Sequence, residues 1–155
     1  MSFAPHMKIA LDEARAAADR GEVPVGAVIV DKSGTVIARA GNRTLELRDP
    51  TAHAEILVIR AACANLGSER LTGCALYVTL EPCPMCAAAI SAARIARLVY
   101  GAADPKSGGV AQGPRVFSHP QAHHVPEIVD GIGAEEAGAL LRGFFEGLRG
   151  KPDAT

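Results

Sequence analysis

Apolar positions along this chain change their period from block to block. Met7, Ala10, Leu11, Ala14, Ala17 and Ala18 recur at steps of three and four, which predicts an amphipathic helix from about Pro5 to Arg20. Pro5 suits its first turn and Gly21 can end it. Val23 to Val30 follows, apolar on both faces, as in a strand covered from two sides. Asp31-Lys32-Ser33-Gly34 reads as a turn, and Thr35 to Ala40 as a second strand antiparallel to the first. Thr44 to Asp49 reads as a polar loop. A helix is expected to start between Pro50 and His53, capped by Asp49 or Thr51, with Ile56, Ile59, Cys63 and Leu66 as its apolar stripe. Gly67 is its predicted stop. Ala75–Thr79, Pro84–Ala93 and Arg97–Tyr100 then make a strand–helix–strand unit, which favours a parallel pair joined by a crossover.

Gly101 to Pro126 is rich in Gly and Pro, and a loop of that length in a compact domain is either functional or disordered. Ile128-Val129 reads as a short last strand. Ala137, Leu141, Phe144, Phe145 and Leu148 mark a C-terminal amphipathic helix, and the residues after Gly150 read as a frayed tail. The sum is an α/β fold in three layers, α/β/α: a mixed, mostly parallel sheet of about five strands with helices on both faces. A chain of 155 residues is expected to form one domain, 1–155, around one substantial core.

Composition bears mainly on compartment and partners. Apolar residues make up 48% of the chain, yet no stretch reaches membrane-spanning length. The first residues lack a charged start followed by an apolar run, so no signal peptide is read and the cytoplasm is the expected compartment. In a reducing compartment the four cysteines, Cys63, Cys74, Cys83 and Cys86, point to burial or metal binding rather than disulfides. Cys63 and Cys74 read as buried hydrophobes. A net charge of −1 argues against a protein that coats nucleic acid by charge alone, while leaving room for a local basic patch. His119, His123 and His124 sit in the long loop at irregular spacing, and read as hydrogen-bonded or solvated rather than as a second metal site.

The chemistry gathers at Thr79-Leu80-Glu81-Pro82-Cys83-Pro84-Met85-Cys86. A strand ends there and a helix begins, and the three-residue step puts Cys83 and Cys86 on one face of the first turn. The free N–H groups and positive dipole end of that turn favour thiolate over thiol. His53 supplies a third donor. Two thiolates and an imidazole suit zinc, and three protein ligands leave a tetrahedral position open, as in a catalytic site. Glu55 is placed to move protons rather than to bind metal. His53-Ala54-Glu55 followed by Pro82-Cys83-Pro84-Met85-Cys86 is the signature of zinc deaminases. The rival of another class is a zinc-stabilised binding module, which has no use for a carboxylate beside an open coordination position.

Over most of its length the chain resembles the bacterial tRNA-specific adenosine deaminases of the cytidine deaminase-like superfamily. The stretches that carry this are Glu22–Val30, Gly41-Asn42-Arg43, Asp49–Ile56, Tyr77–Cys83, Asp104-Pro105-Lys106-Ser107-Gly108 and Phe144-Phe145. The resemblance implies hydrolytic conversion of adenosine to inosine at the wobble position of a tRNA anticodon stem-loop, typically of an arginine tRNA. It implies one Zn2+ per chain on His53, Cys83 and Cys86, zinc-bound hydroxide as nucleophile, Glu55 as proton shuttle and a homodimer. It further implies that Asn42, Ala54, Asp104, Lys106 and Phe145 bind substrate, with Arg149 beside Phe145. Read from the residues alone, Asn42 is better taken as a turn residue after a strand. Many relatives have Asn-His where this chain has His123-His124. A deaminase of a free base such as guanine, or of cytosine or a cytidine nucleotide, would share the same zinc residues and stays open as the alternative.

Overall fold

The computed structural model describes residues 2–149; the tail after Gly150 lies outside them. The elements run α1 (Ala4–Asp19), β1 (Gly26–Val30), β2 (Val36–Gly41), α2 (Thr44–Leu47), α3 (Ala54–Leu66), β3 (Ala75–Leu80), α4 (Pro84–Ala92), β4 (Arg97–Ala102), β5 (Glu127–Val129) and α5 (Ala134–Arg149). One sheet has the order β2-β1-β3-β4-β5. β1 is antiparallel to β2 and to β3, whereas β3–β4 and β4–β5 are parallel. Four strands therefore run one way and β1 runs against them, so the sheet is mixed as expected but its pairings divide evenly.

Two helices cover each face. α1 and α5 bury Met7, Ala10, Leu11 and Ala137 on Val28, Val30, Tyr77 and Val99. α3 and α4 bury Ala54, Val58, Ala62, Ala87 and Ile90 on Ala27, Ile29, Leu76, Val78 and Leu98. Alternate residues of each strand thus serve opposite layers, the two-sided burial that makes these strands read as continuous apolar runs.

Several expected boundaries shift for physical reasons. The first strand starts at Gly26 rather than Val23, because Pro24 has no N–H to give a ladder. The segment 44–49 is not a plain loop: Thr44–Leu47 is a short helix. The buried Glu22 carboxylate accepts the N–H groups of Leu45 (3.1 Å) and Glu46 (2.9 Å), so the cap comes from far upstream. Burial pushes the Glu22 carboxyl up, but these bonds, the Thr44 hydroxyl and Arg20 outweigh it and leave the group below its usual range. On α3 the buried face is Ala54, Val58 and Ala62, not Ile56, Ile59, Cys63 and Leu66. Small side chains let this helix lie close on the sheet, and the larger residues flank the contact; Cys63 is only half-buried. Cys74 is buried as expected. Gly67 ends α3 with φ +66°, a left-handed position suited to glycine.

β1 crosses α1 closely at Gly26. A Cβ there would meet the Ala10 carbonyl and the Ala14 amide of α1. We expect Gly26→Ala to lose about 1–3 kcal/mol of stability through this overpacking, measured by urea denaturation. An unchanged midpoint would show that α1 is free to move away from the strand.

Candidate active site

One edge of the sheet collects the chemistry. β2, β3 and β4 end there, and Val23-Pro24-Val25 leads into β1 at the same edge. The N-termini of α3 and α4 face this edge as well. His53 is the N-cap of α3 with extended backbone (φ −70°, ψ 153°), so neither Asp49 nor Thr51 caps the helix. Asp49 instead closes the preceding turn by accepting the Thr51 N–H (2.8 Å) and hydroxyl (2.7 Å). Cys83 is the N-cap of α4 (φ −69°, ψ 170°), and Pro84 occupies the first turn, where a missing N–H costs nothing. Cys86 lies three residues on, buried against the sheet.

Among the described residues, His53, Cys83 and Cys86 are the group able to hold a metal ion, all their donor atoms lying within 4.8 Å of one another. His53 Nδ1 is 3.6 Å from Cys83 Sγ and 3.5 Å from Cys86 Sγ. A tetrahedral zinc, with bonds of about 2.3 Å to sulfur and about 2.0–2.1 Å to nitrogen, sets such donors about 3.5 Å apart. The donor set and its spacing therefore fit zinc, with one position left for a ligand the protein does not supply.

Without metal the two thiols are unequal. Cys83 is lowered to about 4, first by the hydrogen bond from the Cys86 side chain, against burial, and then by His53 and the Cys86 backbone N–H. Cys86 is pushed up by the Cys83 sulfur beside it, by burial and by the Glu55 charge. The two sulfurs thus differ in their hold on a proton, and a metal ion binds them as thiolates. The hydrogen bond to Cys83 raises His53, partly offset by burial. Glu55, 4% exposed in the first turn of α3, is raised by desolvation; its own backbone N–H and His53 pull against this, and the Cys83 charge adds to it.

His53, Glu55 and Cys83, but not Cys86, line a cavity of about 230 Å³ with Val23, Val25, Asn42, Thr44, Leu80, Glu81, Asp104 and Ser107. It is smaller than the 300 Å³ or so at the lower end of drug-sized pockets, a size for one nucleobase. Asn42 Oδ1 accepts the Ala54 N–H at 2.7 Å, which leaves the amide nitrogen as the donor Asn42 can offer to the cavity it lines. Ala54 itself is fully buried and not on the cavity wall, and its N–H is taken by Asn42. Lys106 and Phe145 lie outside this cavity. They line an adjoining cleft of about 790 Å³ with Val23, Leu80, Asp104, Leu141 and Leu148. Phe145 is 43% exposed and meets Phe144 edge to face at 5.4 Å. The Arg149 side chain lies outside the described residues. Two of the loop histidines are hydrogen-bonded, His124 Nε2 to the Ile95 carbonyl (2.6 Å) and His119 Nδ1 from the Gln121 N–H (3.2 Å), and His123 is exposed.

Sequence reasoning missed Val23, Val25, Thr44, Leu80, Glu81 and Ser107 as cavity residues, because nothing in their spacing marks them. It also missed what Glu81 does, though an acidic residue directly after a buried strand is itself a signal. Cys86→Ser is expected to lower zinc content and melting temperature together, since metal binding and folding are coupled. Metal analysis that found full zinc in this variant would contradict the ligand set.

The model of the cytidine and deoxycytidylate deaminase zinc-binding region matches residues 4–102. A tRNA-specific adenosine deaminase of Agrobacterium fabrum is 61% identical over 92% of this chain and 93% of its own. One of Bacillus subtilis is 46% identical over 97% of this chain and 92% of its own. A solved structure from work on A-to-I editing by tRNA:A34 deaminases at the wobble position superposes with a TM-score of 0.87 at 60% identity, covering 88% of this chain and 99% of that one. A guanine deaminase of Nitrosomonas europaea shares the fold (TM-score 0.81) at 26% identity, covering 92% and 84%. The chain belongs to the tRNA-specific adenosine deaminases, within the zinc-binding cytidine and deoxycytidylate deaminase family.

Proposed function

We propose that this protein hydrolyses adenosine to inosine at the wobble position of a tRNA anticodon stem-loop, releasing ammonia. What carries this reading is the close likeness, over nearly the whole chain, to tRNA-specific adenosine deaminases, well above its likeness to the guanine enzyme. The larger cleft of about 790 Å³ beside the base-sized cavity supports it, because a free base needs no room for neighbouring nucleotides.

His53, Cys83 and Cys86 hold the zinc. When bound, zinc supplies Lewis acidity that makes water nucleophilic near neutral pH. The chain's own residues do the rest. Val23, Val25 and Leu80 form apolar walls for a flipped-out adenine. Asn42 donates to the target nucleotide from its amide nitrogen, and the Ala54 N–H acts by fixing that orientation rather than by reading the base. Glu55 takes a proton from water, delivers it to N1 and carries the next to the departing ammonia. Its raised pKa suits a carboxyl that must both accept and give. Asp104, Lys106 and Phe145 meet the nucleotides on either side, with Phe145 offering an exposed ring for stacking.

A single deaminase domain, 1–155, accounts for the activity. We place it in the cytoplasm, where thiolate ligands and four unpaired cysteines stay reduced; no described helix is long and apolar enough to cross a membrane. We also propose a homodimer. The outer side of α4 and the loop after β4 leave a concavity of about 410 Å³, with Ala88, Ala92, Pro114, Val116 and Ala122 as its apolar part and Ser91, Arg94, His119, Gln121 and His123 as its polar part, suited to a second copy.

The test is ammonia release with two substrates side by side, a stem-loop with wobble adenosine, which gives inosine, and free guanine, which gives xanthine. Turnover of the stem-loop alone is expected; turnover of guanine alone would overturn the substrate. Glu55→Ala is expected to keep zinc and fold and to lose about 10²–10⁴-fold in rate. Parent-like turnover would remove Glu55 from its role.

A further inference from the structure

We propose that Glu81 is a positioning residue of this reaction: its buried carboxylate holds the segment 104–112 as a rigid rim over the cavity and so sets binding of the RNA. The inference rests on the reading above and adds a residue to it.

Glu81 is 2% exposed; it borders the cavity, and its carboxylate oxygens are taken by the loop after β4. Its Oε2 accepts three consecutive backbone N–H groups, from Val110 (3.1 Å), Ala111 (3.0 Å) and Gln112 (3.1 Å). Its Oε1 accepts a fourth, from Asp104 (3.1 Å). Three successive N–H groups converging on one oxygen make an anion-binding nest, a device that elsewhere cradles phosphate. Here the anion is supplied by the chain itself, from the residue that joins β3 to Pro82-Cys83.

The same carboxylate thus ties both ends of the rim to the strand that leads into the metal turn. The segment between the tied ends carries the groups that face substrate. Asp104 Oδ1 accepts the N–H groups of Lys106 (3.2 Å) and Ser107 (3.0 Å), so fixing Asp104 fixes the orientation of all three. Asp104 and Ser107 line the cavity, and Asp104, Lys106 and Ser107 line the cleft. The rim lies so close to its support that two positions require glycine. A Cβ on Gly108 would come within 2.6 Å of Glu81 Oε2 and of the Asp104 carbonyl, and one on Gly109 within 2.5 Å of the Pro84 nitrogen. The Gly109 N–H also donates to the Pro82 carbonyl at 2.8 Å, a second tie to the metal turn.

A buried carboxylate is suited to this role because it accepts at both oxygens and has no hydrogen to present to an N–H. A glutamine of the same shape must aim an NH₂ group at one of the two sets of donors. Glu81→Gln should therefore release one side of the rim while leaving the β3 strand, α4 and the three metal donors in place. Flexible presentation of Asp104, Lys106 and Ser107 weakens binding of the flanking nucleotides and appears in KM, whereas the step at Glu55 is reached once the base is seated.

The experiment compares parent, Glu81→Gln and Gly108→Ala as full-length zinc proteins on the stem-loop with wobble adenosine. Three readings are made: zinc content, KM and kcat, and hydrogen exchange of the 104–112 amides. Both variants are expected to keep zinc, to raise KM at least tenfold with kcat within about threefold of the parent, and to exchange the 104–112 amides at least tenfold faster. Gly108→Ala keeps the carboxylate and displaces the rim, so it carries the test if the glutamine variant does not fold. An active parent whose variants show faster exchange but unchanged KM would overturn the inference alone. Loss of zinc together with kcat would also overturn it, and make Glu81 a support of the metal turn. A parent that leaves the RNA unchanged would overturn the function and the inference together.

Discussion

The metal centre imposes the tightest geometric constraint in the molecule. Donors from two helices, 30 and 33 residues apart in the chain, must meet around a point about 2.0–2.3 Å from each. Both helices therefore have to begin at the same edge of the sheet and lie close on the same face. Alanine makes that approach possible: Ala54, Ala62 and Ala87 are fully buried where α3 and α4 meet the strands. The Gly26 N–H bond to Thr79 Oγ1 (3.2 Å) joins β1 to β3 at the same end, and the absence of a side chain at Gly26 lets α1 back this strand from the other layer.

Three carboxylates are buried on this edge, and their surroundings divide their labour. Glu22 is saturated by the N–H groups of α2 and the Thr44 hydroxyl, and it supports one wall of the cavity through Thr44. Glu81 is saturated by four N–H groups of the opposite rim. Glu55 is not saturated in this way; desolvation dominates its environment and leaves it free to exchange a proton. Identical side chains become a wall brace, a rim brace and an acid–base group according to how many fixed donors each meets.

The layered architecture and the metal site were legible because both rest on local signals. Period-two and period-3.6 patterns report burial directly, and His53, Glu55, Cys83 and Cys86 carry chemistry that few other patterns explain. What escaped depends on partners distant in the chain. The helix at Thr44–Leu47 exists because of Glu22, and the ordered rim at 104–112 because of Glu81. The buried face of α3 was misjudged because alanine carries little weight in an apolar stripe, yet it is what a close helix–sheet contact selects. Asn42 reads as a turn residue until its bond to the Ala54 N–H shows which way its amide faces.

The central claim is an open, three-ligand zinc site, and X-ray absorption at the zinc edge tests it most directly. The purified zinc protein should show two sulfur neighbours at about 2.3 Å and two light-atom neighbours at about 2.0–2.1 Å, one of them from solvent. Substitution of His53 should remove one light atom and leave both sulfurs. Four protein ligands, with no solvent atom at the metal, would mean a closed structural zinc and would contradict the account.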